Sequence, residues 1–248
     1  MSLIKLPSGL LDGVDHFNYA EVGELLGRHQ NYLADKELVV GNIGHLPKIL
    51  SEITKSLQTK EGLKWQGKME DAIYKLSTGD LETILVNIRL NTYGSRFYFQ
   101  AECPHCSQVN KHLKLELDKL ELKEMPLEEL IKPKLVTLPK SALEIELKPI
   151  FLDDLFKIIK MASKGNDKLV TSLGAVTIKR IGNKFKITPE DLDDIPASDL
   201  NYLQEEIGKV RLDGEIDSMI QIECTHCNKE FEQKLQVFDA SFFYPTKD

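Results

Sequence analysis

The sequence predicts an α+β protein made of two similar half-domains, built from helices and small antiparallel ribbons, that share one zinc-ribbon-like site. The chain has four cysteines, and they form two CxxC pairs with a strand-like run on each side of both. The order helix, glycine, strand, CxxC, strand also occurs twice. We therefore predict a first half at 1–122 with one pair, a linker at 123–134, and a second half at 135–248 with the other pair and an aromatic tail.

The cysteine pairs carry the chemistry of the predicted site. They are Cys103 with Cys106, and Cys224 with Cys227. A strand, a CxxC turn and a returning strand make half of a zinc ribbon, and two halves supply the four thiolates of a closed tetrahedral zinc site. We therefore predict one structural Zn²⁺ bound by these four residues. Because four thiolates leave no position open for water, this metal is not predicted to be catalytic.

Three other interpretations of the cysteines stay open. A thioredoxin-like redox motif needs a single CxxC at the start of a helix, whereas a strand-like run follows each pair here. Disulfides within each pair require an oxidising compartment, which nothing in the sequence indicates. In the third interpretation the halves fold independently and the pairs do not meet; only then could His105 or His226 replace a cysteine as a ligand.

The composition is that of a globular protein with a proper core. With 248 residues, 42% of them hydrophobic and 29% charged, the chain is long enough for one large or two small domains. The sequence has no run of eighteen apolar residues, so it predicts no membrane span. Residues 1–7 lack the apolar core of a signal peptide. We expect a cytosolic protein with reduced thiols. The formal charge of −7 disfavours a protein that follows a phosphate backbone.

The similarity between the halves extends upstream of the cysteines. Before the first pair, apolar residues at i, i+3, i+4 and i+7 predict a helix that is capped near Ser77 and stops near Gly94. Before the second, a similar pattern predicts a helix that opens at Ser198 and ends before Gly214. The apolar positions are Leu81, Ile84, Leu85 and Ile88 in the first helix and Leu200, Leu203, Ile207 and Val210 in the second.

A second match starts at the leucine-proline dipeptides at 6–7 and 138–139. After the first dipeptide, helical spacing predicts a helix over 22–33 and an additional one over 46–57, while no strand is clearly marked between His16 and Asp35. After the second, the pattern predicts a strand over 143–147 and a helix over 152–159. We interpret the halves as duplicates, because the period is too long for a solenoid.

The tail at 238–245 is rich in aromatic residues, whereas chain ends are generally polar. Two interpretations remain open. The aromatic side chains either dock onto the protein's own core, or they present a patch that binds a partner through Phe242, Phe243 and Tyr244.

No catalytic constellation is found in the sequence. The motifs GxGxxG, GxxxxGK[ST], HExxH and GxSxG are missing. The acidic run at 190–194 lacks the glycine and the spacing of a calcium-binding loop, and the start of a solvated helix explains it. We predict no catalytic residue and a protein that is not an enzyme.

Several sequence features, taken in chain order, resemble one protein family. They are Leu-Pro-Ser-Gly at 6–9, Gly-Asp-Leu at 79–81, Tyr-Gly-Ser-Arg-Phe at 93–97 before the first CxxC pair, the second CxxC pair, and Phe-Asp-Ala-Ser-Phe-Phe-Tyr-Pro at 238–245. They are similar to the T-even-type phage baseplate hub assembly family over nearly the full chain. The resemblance implies a late phage protein that builds the central hub of a contractile-tail baseplate in the host cytoplasm. Its implied partners are other baseplate hub proteins.

Two further functions stay open. The resemblance does not separate an assembly factor, or chaperone, that leaves the particle from a permanent structural subunit of the virion baseplate hub. A zinc-ribbon regulator that binds nucleic acid is the other alternative, because basic and aromatic residues lie on the strands of the first ribbon. These residues are Arg96, Phe97, Tyr98, Phe99, Lys111, His112 and Lys114. The negative net charge and a second ribbon with fewer such residues disfavour nucleic acid as a partner.

Overall fold

Every sheet in the described part of the chain is small and antiparallel. The computed structural model describes residues 1–33, 46–154, 157, 175–209 and 212–244. Its strands are β1 (Ser2–Asp12), β2 (Asp15–Val22), β3 (Thr54–Gln58), β4 (Arg96–Glu102), β5 (Val109–Glu116), β6 (Leu122–Lys123), β7 (Lys134–Thr137), β8 (Glu144–Leu147), β9 (Ile178–Ile181), β10 (Glu215–Ile216), β11 (Met219–Glu223) and β12 (Glu230–Lys234). Its helices are α1 (Gly27–Leu33), α2 (Leu46–Ile53), α3 (Met69–Lys75), α4 (Thr78–Tyr93), α5 (Leu127–Ile131), α6 (Glu190–Asp193) and α7 (Ala197–Lys209). The mixture of helices and small antiparallel sheets confirms this part of the predicted class.

Helix α4 lies at the centre of the main core and packs on the sheet β1-β2-β3. Its buried apolar residues are Leu81, Ile84, Leu85, Val86 and Ile88. A capping box starts the helix: the Ser77 side chain accepts the N–H of Asp80, and the Asp80 carboxylate accepts the N–H of Ser77. The helix ends at Gly94, whose φ of 82° lies in the region that favours glycine.

A second, smaller core lies on the sheet β7-β8-β9. Its buried residues come from this sheet and from α6 and α7, and they include Val136, Leu138, Ile145, Ile178, Leu192 and Leu203. The strand order of this sheet follows the chain, as does that of β1-β2-β3. Both cores therefore combine a three-stranded antiparallel sheet with a helix.

An aspartate near the start of α4 and another near the start of α7 each bind a pair of backbone N–H groups. The carboxylate of Asp80, which is fully buried, accepts the N–H groups of residues 8 and 9 at 2.8 and 2.9 Å. The carboxylate of Asp199 accepts the N–H groups of residues 140 and 141 at 3.0 and 2.8 Å. Both pairs of N–H groups directly follow a leucine-proline dipeptide, within β1 at residues 8–9 and in the turn after β7 at 140–141, so an equivalent aspartate contact occurs in both cores.

Backbone contacts fix the segment that follows α7 against the main core. Strand β6 pairs with β10, with Lys123 opposite Glu215. A Cβ added to Gly79 would lie 1.9 Å from the carbonyl oxygen of Gly214, and the N–H of Gly214 donates to the Ser8 hydroxyl at 2.6 Å. This close approach requires glycine at position 79. Because β6 follows β5 and β10 precedes β11, the same contacts hold the hairpins β4–β5 (first hairpin) and β11–β12 (second hairpin) near each other.

The N-terminal region differs from the prediction. Residues 15–22 form β2, the middle strand of its sheet, and the helix predicted over 22–33 is the shorter α1. The buried positions of β2 are Phe17, Ala20 and Val22, so their spacing of three and then two matches neither the strand nor the helix period. The additional helix, α2, ends at Ile53, and Leu57 belongs to β3. Of the helix predicted over 152–159, residues 155–156 and 158–159 lie outside the described residues.

Candidate metal centre

The structure brings all four cysteine side chains together in one cluster. Their Sγ atoms lie within 4.8 Å of one another. The Sγ of Cys103 is 3.8 Å from that of Cys227, and the Sγ of Cys106 is 3.7 Å from that of Cys224. Zinc–sulfur bonds of about 2.3 Å in a tetrahedron place the sulfurs about 3.8 Å apart. The cluster therefore fits a metal ion held by four thiolates, with each short contact joining the two pairs.

The two CxxC turns have the same backbone geometry. In the first, the N–H of Ser107 donates to the carbonyl of Cys103 at 2.8 Å; in the second, Asn228 donates to Cys224 at 2.9 Å. Ser107 and Asn228 also share a positive φ, 56° and 57°. Each turn is closed by a further backbone bond, from Cys103 to Gln108 (2.9 Å) and from Cys224 to Lys229 (3.0 Å). The turns therefore present their sulfurs in the same way from opposite sides of the cluster.

Each pair contributes one interior and one peripheral thiol. Cys103 and Cys224 are buried, whereas Cys106 and Cys227 are partly exposed. Apolar residues of both hairpins pack around the cluster, namely Ala101, Ile222 and Phe231. This apolar surrounding keeps water from the interior sulfurs, as suits a metal site with a structural role.

The surroundings of the thiols shift their pKa values in different directions. Burial raises the pKa of Cys224, but the backbone N–H groups at 226–227 and the amide of Asn110 outweigh it and lower this pKa to about 6. At Cys106 the backbone N–H of Gln108 acts to lower the pKa, yet burial and the neighbouring thiols prevail and raise it to about 12. One thiolate therefore disfavours the next, and a cation bound at the centre would compensate for their repulsion.

The two histidines of the CxxC turns do not join the cluster. His105 and His226 are both exposed, and the His105 ring lies 3.3 Å from the backbone carbonyl of Glu230. Among the described residues, the group with metal-binding geometry consists of the four cysteines.

The aromatic tail is partly buried and partly exposed. Phe242 and Phe243 lie in the main core, and the ring of Phe242 is 5.2 Å from that of Phe97. Tyr244 is 42% exposed. The tail also borders a groove of about 450 Å³ between the two hairpins. The structure thus places two of the predicted partner-binding residues inside the protein and one at its surface.

Asn110 contacts the cluster but is not predicted from the sequence. It is fully buried on β5, and its Oδ1 accepts the backbone N–H and the hydroxyl of Thr225 at 2.8 and 3.0 Å. Its Nδ2 lies 3.6 Å from the Sγ of Cys224. Asparagine is uncommon in strands, so its position just after the first CxxC turn is the one local signal of a special role.

The fold and the cluster define a mixed α/β protein whose cysteines have metal-binding geometry. A family model described as T4 bacteriophage base plate protein matches residues 33–244. The chain belongs to this family and is therefore a phage baseplate protein of the T4 type. No curated protein and no solved structure matches it. None of the helices in the described ranges is long and apolar enough to cross a membrane.

Proposed function

We propose that this protein is a non-enzymatic assembly factor, required to build the central hub of the contractile-tail baseplate. The observation that carries the proposal is the family match over residues 33–244, which includes both CxxC pairs. Such a factor needs a rigid body and surfaces for its partners rather than a catalytic centre. It acts in the host cytoplasm during tail assembly, and its partners are other baseplate hub proteins.

The cysteine cluster, in this proposal, holds one structural Zn²⁺. The spacing of the sulfurs supports zinc, and a reducing cytosol favours thiolates over disulfides. Cys106 and Cys224 are 118 positions apart in the sequence, so the ion ties two remote segments together. Because all four coordination positions are occupied by sulfur, none remains for a reacting water.

A duplication, also part of the proposal, accounts for the two cores. The halves are 1–122 and 135–248, and the linker at 123–134 contains α5. Three features support it: two three-stranded sheets of the same order, two aspartates that each accept backbone N–H groups just after a leucine-proline dipeptide, and two CxxC turns with equal backbone bonds.

The groove between the hairpins is the surface that we assign to a hub partner. Buried Phe97 and Phe242 line it, together with exposed Lys111 and His112. These two consecutive basic residues both line the groove because His112, in a bulge of β5, has a φ of 57°. Tyr244 is the tail residue available for direct contact, while Phe242 shapes the groove from inside. The groove is also lined by Lys234, which is paired with Glu82, and by Asp239, so Lys111 is the lysine of the lining that we assign to an acidic group of a protein partner.

Mass spectrometry of purified tails and of infected-cell lysate tests the proposed role. We expect the chain in lysate, associated with hub intermediates, and not in purified tails. A stoichiometric amount in purified tails would instead identify a permanent hub subunit. A gel shift that weakens as salt rises would favour the nucleic-acid regulator.

A further inference from the structure

Asn110 belongs to the first hairpin but its side chain binds the second CxxC turn. It stands four positions after Cys106, is 0% exposed, and contacts Thr225 across 115 positions of sequence. Both ends of the amide are used. Oδ1 accepts two hydrogen bonds from Thr225, and Nδ2 points toward the carbonyl of Ala101 at 3.3 Å and the sulfur of Cys224 at 3.6 Å.

We propose that Asn110 is a positioning residue of the metal centre, which docks the second CxxC turn onto the first hairpin and donates a hydrogen bond to the Cys224 thiolate. This inference rests on the proposed metal site. An amide is required because it combines a donor and an acceptor on one rigid group. A carboxylate could still accept from Thr225, but it could donate to neither the sulfur nor the carbonyl of Ala101.

The contact is not repeated in the second hairpin. The residue four positions after Cys227 is Phe231, an apolar side chain that is buried beside the cluster. The first hairpin therefore binds the second CxxC turn through Asn110. The second hairpin has no equivalent hydrogen-bond donor at the matching position, Phe231. Cys224 receives N–H···S contacts from Asn110 at 3.6 Å and from the backbone of His226 at 3.4 Å.

Two effects on metal binding follow. The hydrogen bonds between Asn110 and Thr225 involve no metal, so they hold the second turn in place before an ion arrives and reduce the ordering that binding requires. The N–H···S contact withdraws electron density from a sulfur of a centre that carries excess negative charge. Partners of this kind around a metal typically change its affinity by about 10–100-fold.

The test compares Zn²⁺ and Co²⁺ binding by the full-length wild-type chain, Asn110→Ala, Asn110→Asp and the control Asn201→Ala. Asn201 is exposed on α7, away from the cluster's hairpins. We expect one ion per wild-type and control chain with the same dissociation constant. In both Asn110 variants the dissociation constant should rise about 10–100-fold. Asn110→Asp keeps the acceptor for Thr225 but places a buried carboxylate beside the thiolates, so it should lower the thermal stability at least as much as Asn110→Ala.

The cobalt spectrum separates positioning from general stability. Loss of the N–H···S contact makes the sulfur a stronger donor, so the sulfur-to-cobalt charge-transfer band should move to lower energy in both Asn110 variants. A residue that only supports the fold would lower the melting temperature and leave this band in place. Wild-type affinity and an unshifted band in both variants would overturn the role of Asn110 while keeping the metal site. A wild-type chain that binds neither ion would overturn the metal site, and this inference with it.

Discussion

At the scale of single residues, Arg89 is a buried charge for which no counter-ion lies among the described residues. It is 1% exposed, and its Nε and Nη1 atoms have no hydrogen-bond partner among the described residues. Its Cζ lies 5.0, 5.1 and 5.6 Å from the ring centroids of Phe97, Tyr93 and Phe242. Burial lowers the pKa of the guanidinium. The aromatic faces attract the cation, but they replace only part of its lost hydration.

Replacing Arg89 with methionine should therefore stabilise the protein. An apolar side chain of similar length keeps the packing and removes the desolvated charge, so we expect the free energy of unfolding to rise by about 1–3 kcal/mol. Urea denaturation measures this change in the free energy of unfolding. Arg28→Met, at an exposed residue paired with Glu52, should change stability by no more than about 0.5 kcal/mol. A loss of stability in Arg89→Met would mean that the cation–π contacts outweigh the cost of burial.

Lys111 is the residue on which we test the proposed partner groove. Its charge is exposed and lines the groove, so Lys111→Glu should repel an acidic partner. We expect at least a tenfold loss of phage yield in a complementation assay, with unchanged zinc content. Lys60→Glu alters an exposed lysine outside the groove and should complement fully. Equal yields from the two variants would remove the groove from the partner surface.

The two kinds of site residue differ in how far sequence alone can predict them. A CxxC turn is local, so the spacing of Cys103 and Cys106 already indicates thiolate ligands. The contact of Asn110 with Thr225 joins residues 115 positions apart, and no periodicity or motif encodes it. The environment of Arg89 likewise depends on Phe242, which reaches the helix only when the tail folds back.

At the scale of elements, Asp80 and Asp199 perform the same structural task in different surroundings. Burial dominates at Asp80 and raises its pKa to about 6, although the N–H groups of Ser8 and Gly9 oppose this. At Asp199 burial also acts to raise the pKa, but the hydrogen bonds from Ser141 and Lys140 prevail and lower it. The two helix starts should therefore respond to acid in opposite ways.

We predict that the stability difference between the wild type and Asp80→Asn changes with pH in the opposite direction to that between the wild type and Asp199→Asn. The pKa of Asp80 is higher in the folded state than in the unfolded state, so its protonation stabilises the folded protein. This stabilisation is complete below the unfolded pKa of about 3.9 and is lost as the pH rises through about 6. The advantage of the wild type over Asp80→Asn should thus grow as pH falls from 7 to 4. For Asp199, with a lowered folded pKa, the advantage should be constant above pH 5 and shrink at lower pH. Denaturant midpoints across pH 3–8 measure both, and parallel curves would contradict the assignment.

The junction between α4 and β10 depends on the absence of a side chain at Gly79. A Cβ there would meet the backbone oxygen of Gly214 at 1.9 Å, and backbone cannot move aside as a flexible side chain can. Gly79→Ala should destabilise the protein by about 3 kcal/mol or more. Gly208→Ala is the matched control, because a Cβ at this α7 position has nothing within 4 Å, and it should stabilise by about 0.5 kcal/mol. Thermal melting of both variants checks the difference.

Sequence periodicity predicts α4 and α7 well because each keeps one apolar face in helical phase over three turns. It fails for β2, because the register of its pairing with β1 shifts opposite Phe17 and Tyr19, where the buried positions are spaced by three. A bulge of this kind breaks the alternation on which strand prediction depends. The short strands β6 and β10 pair across remote parts of the chain, and two residues are too few to show any period.

At the scale of the whole molecule, the contacts between segments remote in sequence fall into a metal-independent and a metal-dependent set. The pairing of β6 with β10, the approach of Gly79 to Gly214 and the burial of Phe242 in the main core require no ion. The cluster around the cysteines is a separate apolar core formed by the two hairpins. A metal should therefore hold the hairpins together without being needed for α4 and its sheet.

Removal of the metal should loosen the hairpins selectively. A structural site saturated at about a thousandfold over its dissociation constant contributes about 4 kcal/mol, which corresponds to a fall in melting temperature of about 8–16 °C for a chain of this size. After chelation, amide exchange should accelerate in β4–β5 and β11–β12 while α4 stays protected, because the contacts of Gly79 and Phe242 persist. Cys224→Ser should behave like the chelated wild type, and added Zn²⁺ should restore only the wild type. Equal acceleration in α4 would mean that the ion organises the whole fold, and unchanged exchange in the hairpins would mean that the thiols cluster without a metal.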